Sequence, residues 1–371
     1  MILKKLAILF ILFIVYACSS SDEPEILAPE DAKAAIVENT TSLTTDIVGI
    51  TQSEGANALI ELINLTNLAD PFNGRTSITR SETYKLLKEK SVQFKSIFIP
   101  KGSVNLRTDQ HGGFDFEANW GIYEWEPLEE DFIKTSSEGE MIIIRFPTEG
   151  SSTNNAELRI TGYNETLITF LENGLVEEDY YPTLITADLS IDGVLMIDLI
   201  FEAAYNDFGD PISADISLFI NPYQFTLSFD DTNSLSTSLS ASISKNDNIL
   251  ASVSVDVIFS NQEKEDVSVL EGFIQYLDLK LSGRIDVAGL EEIDDLGEGD
   301  PNEFIDLTLT IGSQVAGNII LVEEVDDNFP DDIEWVPYVE YSDGSRERLE
   351  DILEDTIIEL EDFFDEIDEE G

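Results

Sequence analysis

The chain holds one histidine, His111, in the run "DQHGGFDF", and one cysteine, Cys18, against 76 aspartates and glutamates. Zinc sites built on several His or Cys ligands and a catalytic triad both read as unavailable. His111, close to Asp109, reads as a loop residue rather than a general base. No Walker loop, Rossmann fingerprint or GxSxG elbow stands out. Carboxylate chemistry stays open, because a glycoside hydrolase needs only two acids about 5 to 9 Å apart. Among 76 acids, however, such a pair carries no signal by itself. Calcium meets the same difficulty. Asp294, Asp295, Glu298 and Asp300 in "DDLGEGDPNE", and the later "DDNFPDD", offer hard oxygens without the spacing of an EF-hand, so a solvated acidic loop is the plainer reading. The stretch "NWGIYEW" is the most suggestive internal motif. In a strand Tyr123 and Trp125 share a face and Trp120 lies on the other, which would offer a stacking platform for a sugar or apolar ligand, or simply core packing beside the sheet.

The N-terminus carries a different chemistry. Lys4 and Lys5 precede an apolar run from Leu6 to Val15, too short for the roughly 18 residues of a spanning helix and typical of a removable export signal. Val15-Tyr16-Ala17-Cys18 then resembles the bacterial lipoprotein signal, an aliphatic residue and a small residue before the cysteine that is lipidated. The resemblance implies cleavage between Ala17 and Cys18, with a covalent diacylglycerol and an N-acyl chain on Cys18. One acyl chain anchors only marginally, each buried CH₂ contributing about 0.8 kcal/mol, whereas two or three on one residue give stable attachment. With a single cysteine, no disulfide forms within the chain.

The 371 residues, 42% hydrophobic and 9% aromatic, can bury one large core or two modest ones. The formal net charge of -56 becomes -58 once Lys4 and Lys5 leave with the signal. Phosphate backbones and anionic head groups are repelled by such a body, which argues against nucleic acid and against a polybasic membrane contact. The acids are spread along the chain, a pattern that suits saline surroundings, where a Debye length of about 3 Å at 1 M salt screens self-repulsion.

Hydrophobic periodicity sets out the elements that must position any site. Residues 18–29 form a flexible acidic tether, and 30–110 an N-terminal helical segment that Gly49 and Gly55 break or kink, with a second helix at "SETYKLLKEK". From 111 to 343 the period is two. Apolar rows run through Ile185–Ile191, Ile197–Ala203, Ala214–Ile220, Phe225–Phe229, Leu235–Ile243 and Ile249–Phe259. Between them fall the turn sequences "NDFGDP", "NPY", "DDTNS" and "KNDN". Further strands are expected at Phe114–Phe116, Gly121–Trp125, Met141–Phe146, Leu277–Val287, Phe304–Ile311 and Ala316–Val322. Residues 344–371 form an acidic amphipathic helix with Leu349, Leu353, Ile357, Leu360, Phe364 and Ile367 on one stripe. The expected fold is therefore α+β and mainly β: a large, curved, half-barrel-like antiparallel meander covered by the N-terminal helices and the C-terminal helix.

The lipobox, the start "SSSDEPE" and the phrases "NWGIYEW", "IIIRFPT", "PTLITADLSIDG" and "AAYNDFGDPISADISLFI" together resemble uncharacterised outer-membrane lipoproteins of Bacteroidota. That resemblance implies an anchored outer-membrane protein, facing either outward or toward the periplasm. The expected role is a non-catalytic binding or structural module for a glycan, lipid or protein partner. A carboxylate-dependent hydrolase and a lipid or lipoprotein carrier are the alternatives, and no cofactor beyond the covalent lipid is expected. Fractionation of intact cells tests the anchor: the wild type partitions with membranes and gains the mass of its lipid, and Cys18→Ala is released. Retention of Cys18→Ala on the membrane at unchanged mass would overturn it.

Overall fold

The computed structural model describes residues 25–58, 60, 69–70, 74–75, 114–172, 175–296, 299–325 and 333–353. Two short strands, β1 (Ala69–Asp70) and β2 (Gly74–Arg75), pair as a ladder of their own, so the N-terminal segment is not helical throughout. Sixteen further strands form one open, mixed sheet. They begin with β3 (Gly121–Glu126), β4 (Asp131–Ser136), β5 (Ile142–Phe146), β6 (Ala156–Glu172), β7 (Leu175–Ile191), β8 (Val194–Tyr205) and β9 (Pro211–Ile220). There follow β10 (Tyr223–Asp230), β11 (Ser236–Lys245), β12 (Asn248–Phe259), β13 (Val267–Tyr276) and β14 (Leu279–Asp286). The last are β15 (Ile305–Ile311), β16 (Gln314–Val325), β17 (Ile333–Tyr341) and β18 (Arg346–Arg348). From β5 to β18 sheet order follows chain order, the meander expected from tight turns between alternating rows. The departure lies at the other end, where β3 sits between β4 and β5 and pairs with β5 in parallel. The turn at Asp192-Gly193 has positive φ at both residues, 50° and 80°, as a two-residue hairpin turn requires.

The chain divides into two compact units. In the unit containing Gly49–Thr226, alternate side chains bury one face. Ile142, Ile144 and Phe146 of β5 meet Leu158 and Ile160 of β6, Ile185 and Leu189 of β7, and Ile197 and Leu199 of β8. Each such fully buried side chain contributes roughly 1.5–3 kcal/mol relative to exposure. The other face carries charge pairs: Arg145 donates to Glu157 at 2.8 Å and to Glu124 at 3.1 Å, and Arg159 donates to Asp188 at 2.7 Å. Exposed pairs contribute at most about 1 kcal/mol apiece, yet they keep acids on neighbouring strands from facing one another unscreened. Gly49 is needed for space, since an added Cβ would stand 2.6 Å from the Tyr223 hydroxyl.

Helix α1 (Pro29–Thr51) belongs to the other unit up to Val48, and there Ala32 and Ile36, both 0% exposed, join the core of Ala251, Ile274, Leu279, Leu309 and Val339. Polar contacts fix its position: Lys33 pairs with Glu347 at 2.8 Å and stands over the Tyr341 ring, and Asp46 accepts the Tyr276 hydroxyl. Leu349 and Leu353, the first two residues of the expected C-terminal stripe, are buried in this core, although the segment opens with β18 before turning helical. Ile357, Leu360, Phe364, Ile367 and the "SETYKLLKEK" helix lie outside the described residues. Val287 ends the expected strand and instead opens helix α2 (Val287–Leu296), because Asp286 accepts the Gly289 amide as a cap. The row at β11 is less covered than its alternation implies, with Leu235 44% and Leu239 38% exposed.

Gly272 and Gly283 face each other across β13 and β14, at φ +155° and +149°. A Cβ on Gly272 would fall 2.0 Å from the Ser254 carbonyl oxygen, and one on Gly283 1.8 Å from that of Asp306. These two positions let the neighbouring backbones close up. Urea denaturation should show Gly272→Ala losing roughly 1–3 kcal/mol. Gly344→Ala, at φ +81° but with open space around it, should lose less. Equal losses would mean that close approach is not the constraint.

Candidate functional site

Strands β6 and β7 are 17 residues each, longer than their neighbours can follow. β5 pairs only with Ala156 to Ile160 of β6, and β8 only with Leu184 to Ile191 of β7. The two strands then continue as a hairpin whose ladder partners are each other, closing at Glu172↔Leu175. At its root β6 carries two register shifts, at Ile160/Gly162 and at Asn164/Glu165. Such bulges bend a strand and re-aim its side chains. Gly162 permits the first, because a Cβ there would lie 2.5 Å from the Thr186 hydroxyl oxygen.

Beside this root lies a cleft of about 490 Å³. One wall is Gly162, Tyr163, Asn164 and Glu165 with Leu184. The other is the loop entering β3, with Phe114, Asp115, Phe116, Glu117 and Trp120. Glu165 ties the walls together: one carboxylate oxygen accepts the Phe114 amide at 2.6 Å, and the other accepts the Tyr163 hydroxyl. The rings interlock. Phe114 meets Tyr163 edge-on at 5.3 Å, Phe116 lies tilted on Tyr163 at 6.3 Å, and Phe116 meets Trp120 edge-on at 6.1 Å. Edge-to-face pairs of this kind add about 0.5–1.5 kcal/mol beyond burial.

The expected strand at Phe114–Phe116 is instead an isolated bridge followed by a 3-10 turn, Glu117–Asn119. Asp115 causes this by accepting the Ala118 amide at 2.9 Å, and the Asn119 side chain donates back to the Asp115 carbonyl at 2.7 Å. The Asn119 carbonyl in turn accepts the Tyr123 hydroxyl at 2.9 Å.

Tyr123 and Trp125 do share a face of β3, but it is the buried face, leaving them 5% and 8% exposed. Trp125 packs edge-on against Phe132 at 5.1 Å. Neither ring offers a platform; of the three candidates only Trp120 lines the cleft. Its indole Nε1 is shut off from solvent and has no hydrogen-bond partner among the described residues. Phe114, Phe116, Tyr163 and Glu165 were not anticipated. The signal for Tyr163 and Glu165 was a glycine followed by an aromatic and two polar residues inside a strand, "ITGYNE", which marks a bulge.

Among the calcium candidates, Asp294 and Asp295 fall on helix α2 rather than in a loop, with side chains outside the described set, as is Glu298. Asp300 uses its carboxylate to cap the turn Pro301–Phe304, accepting the Asn302 amide at 2.9 Å and its side chain at 2.8 Å. Among the described residues no three Asp, Glu, His or Cys side chains gather as a metal site, and no helix is long and apolar enough to cross a membrane. Ala17, Cys18 and His111 lie outside the described residues. Comparison with protein-family models, curated proteins and solved structures finds no match to this chain.

Burial, and then the Glu165 carboxylate beside it, push the Tyr163 phenol well above its ordinary range. The unfolded chain loses this proton near pH 10 and the folded chain keeps it, so the stability it supports is full below pH 10 and falls as pH rises beyond. Urea denaturation from pH 8 to 11 should show a shallower alkaline decline for Tyr163→Phe than for the wild type. Superimposable declines would assign the loss to other groups.

Proposed function

We propose that the protein is an outer-membrane lipoprotein, fastened by lipid on Cys18, that acts as a non-catalytic binding module with its ligand in the cleft at the hairpin root. The observation that carries this reading is the cleft itself, a concavity of about 490 Å³ with aromatic rings on both walls and polar groups between them. Ligand sites are typically concave and furnished with a few placed polar groups, in this size range. The acids there are largely committed to structure: both Glu165 oxygens accept hydrogen bonds within the wall, and Asp115 caps a turn. They shape the site rather than wait with free oxygens for a proton transfer.

Carboxylates between aromatic walls also favour a second reading, a glycosidase on the same scaffold. A carrier of lipid tails fits less well, since Asp115, Glu117 and Glu165 would lose water to an apolar ligand.

A thermal-shift screen of the mature protein against neutral oligosaccharides, glycerophosphocholine and short peptides tests the reading. At a hundredfold excess over Kd a ligand adds about 2.7 kcal/mol. At least one class should raise Tm for the wild type and fail to do so for Phe116→Ala, each judged against its own unliganded Tm. Shifts of equal size in both proteins would move the site elsewhere. Turnover of aryl glycosides by the wild type, lost in Glu165→Gln, would replace the binding reading with the hydrolase.

A further inference from the structure

The cleft's hydrogen-bonding groups sort the ligand classes that its size admits. Among the described residues its lining contains Asp115, Glu117 and Glu165 and no Lys, Arg or His. In a chain of net charge -56 this excludes phosphate, sulfate and acidic sugars, which would bring a further negative charge to an already negative wall. A purely apolar ligand would strip water from the same carboxylates without replacing their hydrogen bonds. Two classes survive: an organic cation, held by ring faces and carboxylates, and an uncharged ring bearing hydroxyls.

Donors decide between them. The Trp120 indole nitrogen lacks an acceptor among the described residues, and an unpaired buried donor costs about 1–3 kcal/mol. The Asn164 side chain, exposed at the cleft wall, makes no hydrogen bond among the described residues and can both donate and accept. An ammonium group can meet the Asn164 oxygen but offers no acceptor to the Trp120 N–H. A sugar hydroxyl accepts from an indole or amide N–H and donates to a carboxylate, and the C–H face of its ring lies well against an aromatic face.

We infer that the cleft binds an uncharged sugar residue, with Trp120 and Asn164 as its hydrogen-bonding contacts and Phe114, Phe116 and Tyr163 as its apolar wall. This rests on the binding reading above and names its ligand class. The Trp120 nitrogen is closed to solvent, so a sugar oxygen reaches it only when the indole turns, and that turn changes the fluorescence of the ring.

The test is a fluorescence titration of the mature, anchor-free protein with neutral hexasaccharides of glucose, mannose and galactose, and separately with choline. At least one hexasaccharide should give a saturable change whose Kd stays within twofold between 0.05 and 0.5 M salt, as for an uncharged ligand. Trp120→Phe keeps a ring but loses the N–H, and should weaken binding about five- to tenfold in calorimetry with near-UV dichroism otherwise preserved. Asn164→Ala, at an exposed position, provides the second variant and should weaken it about threefold or more.

Saturation by choline alone, weakening steeply with salt, would overturn the sugar assignment and leave the binding reading standing. Sugar affinity unchanged in both variants would overturn the assigned contacts. Silence toward all these probes in a protein that the peptide or glycerophosphocholine screen shows to bind through Phe116 would overturn the ligand class alone. Silence in every screen would overturn both.

Discussion

A β-strand carries its apolar side chains on every second residue, so a slip of one residue in the ladder would turn a whole buried row to water. In a sheet where each strand pairs with the next along the chain, that condition is imposed again at every pairing. The rows Ile185–Ala187–Leu189 and Ile197–Leu199–Phe201 are buried because their register places Ile185 opposite Phe201 and Leu189 opposite Ile197. The facing glycines Gly272 and Gly283 belong to the same constraint, at positions where backbones approach so closely that no side chain fits. Register also shifts at several ladders, and beside the two shifts in β6 lies the cleft.

This explains what could be read in advance. Six apolar rows from Ile185 to Phe259 coincide with β7 to β12 because their alternation is uninterrupted and turn sequences punctuate it. β6 escaped notice although it is among the longest strands. Its buried residues Leu158, Ile160, Tyr163 and Ile168 do not keep period two, since each bulge inserts a residue and shifts the phase. β4 and β13 were passed over because polar residues interrupt their rows. The site was less legible than the fold. Glu165 and the Phe114 amide are 51 residues apart, and only the folded register brings them together. "NWGIYEW" was read with the right spacing and faces, but periodicity alone could not tell a buried aromatic face from an offered one, and Trp120 rather than the Tyr123–Trp125 pair reaches the cleft.

The acidic composition acts at two levels. Along the sheet, arginines placed between acids of adjacent strands, as Arg145 is between Glu124 and Glu157, let carboxylates occupy the polar face without confronting one another. At the cleft the same surplus is used differently. Carboxylates are drawn into the wall by amide and hydroxyl donors, so that Glu165 works as a rivet between the loop and the hairpin.

The hairpin beyond Glu165 has one further property. Among the described residues this stretch of β6 and β7 pairs only within its own hairpin, as does the outer part of β16 and β17. Backbone amides that depend on a single ladder open in smaller, cheaper fluctuations than those that require neighbouring strands to part as well. Amides of the outer hairpin should therefore exchange ahead of those in the part of β6 and β7 that is paired on both sides. A ligand in the proposed site would touch Tyr163 and Glu165 at the root rather than the arm, so binding there would be felt along the hairpin as a change in its rate of hydrogen exchange.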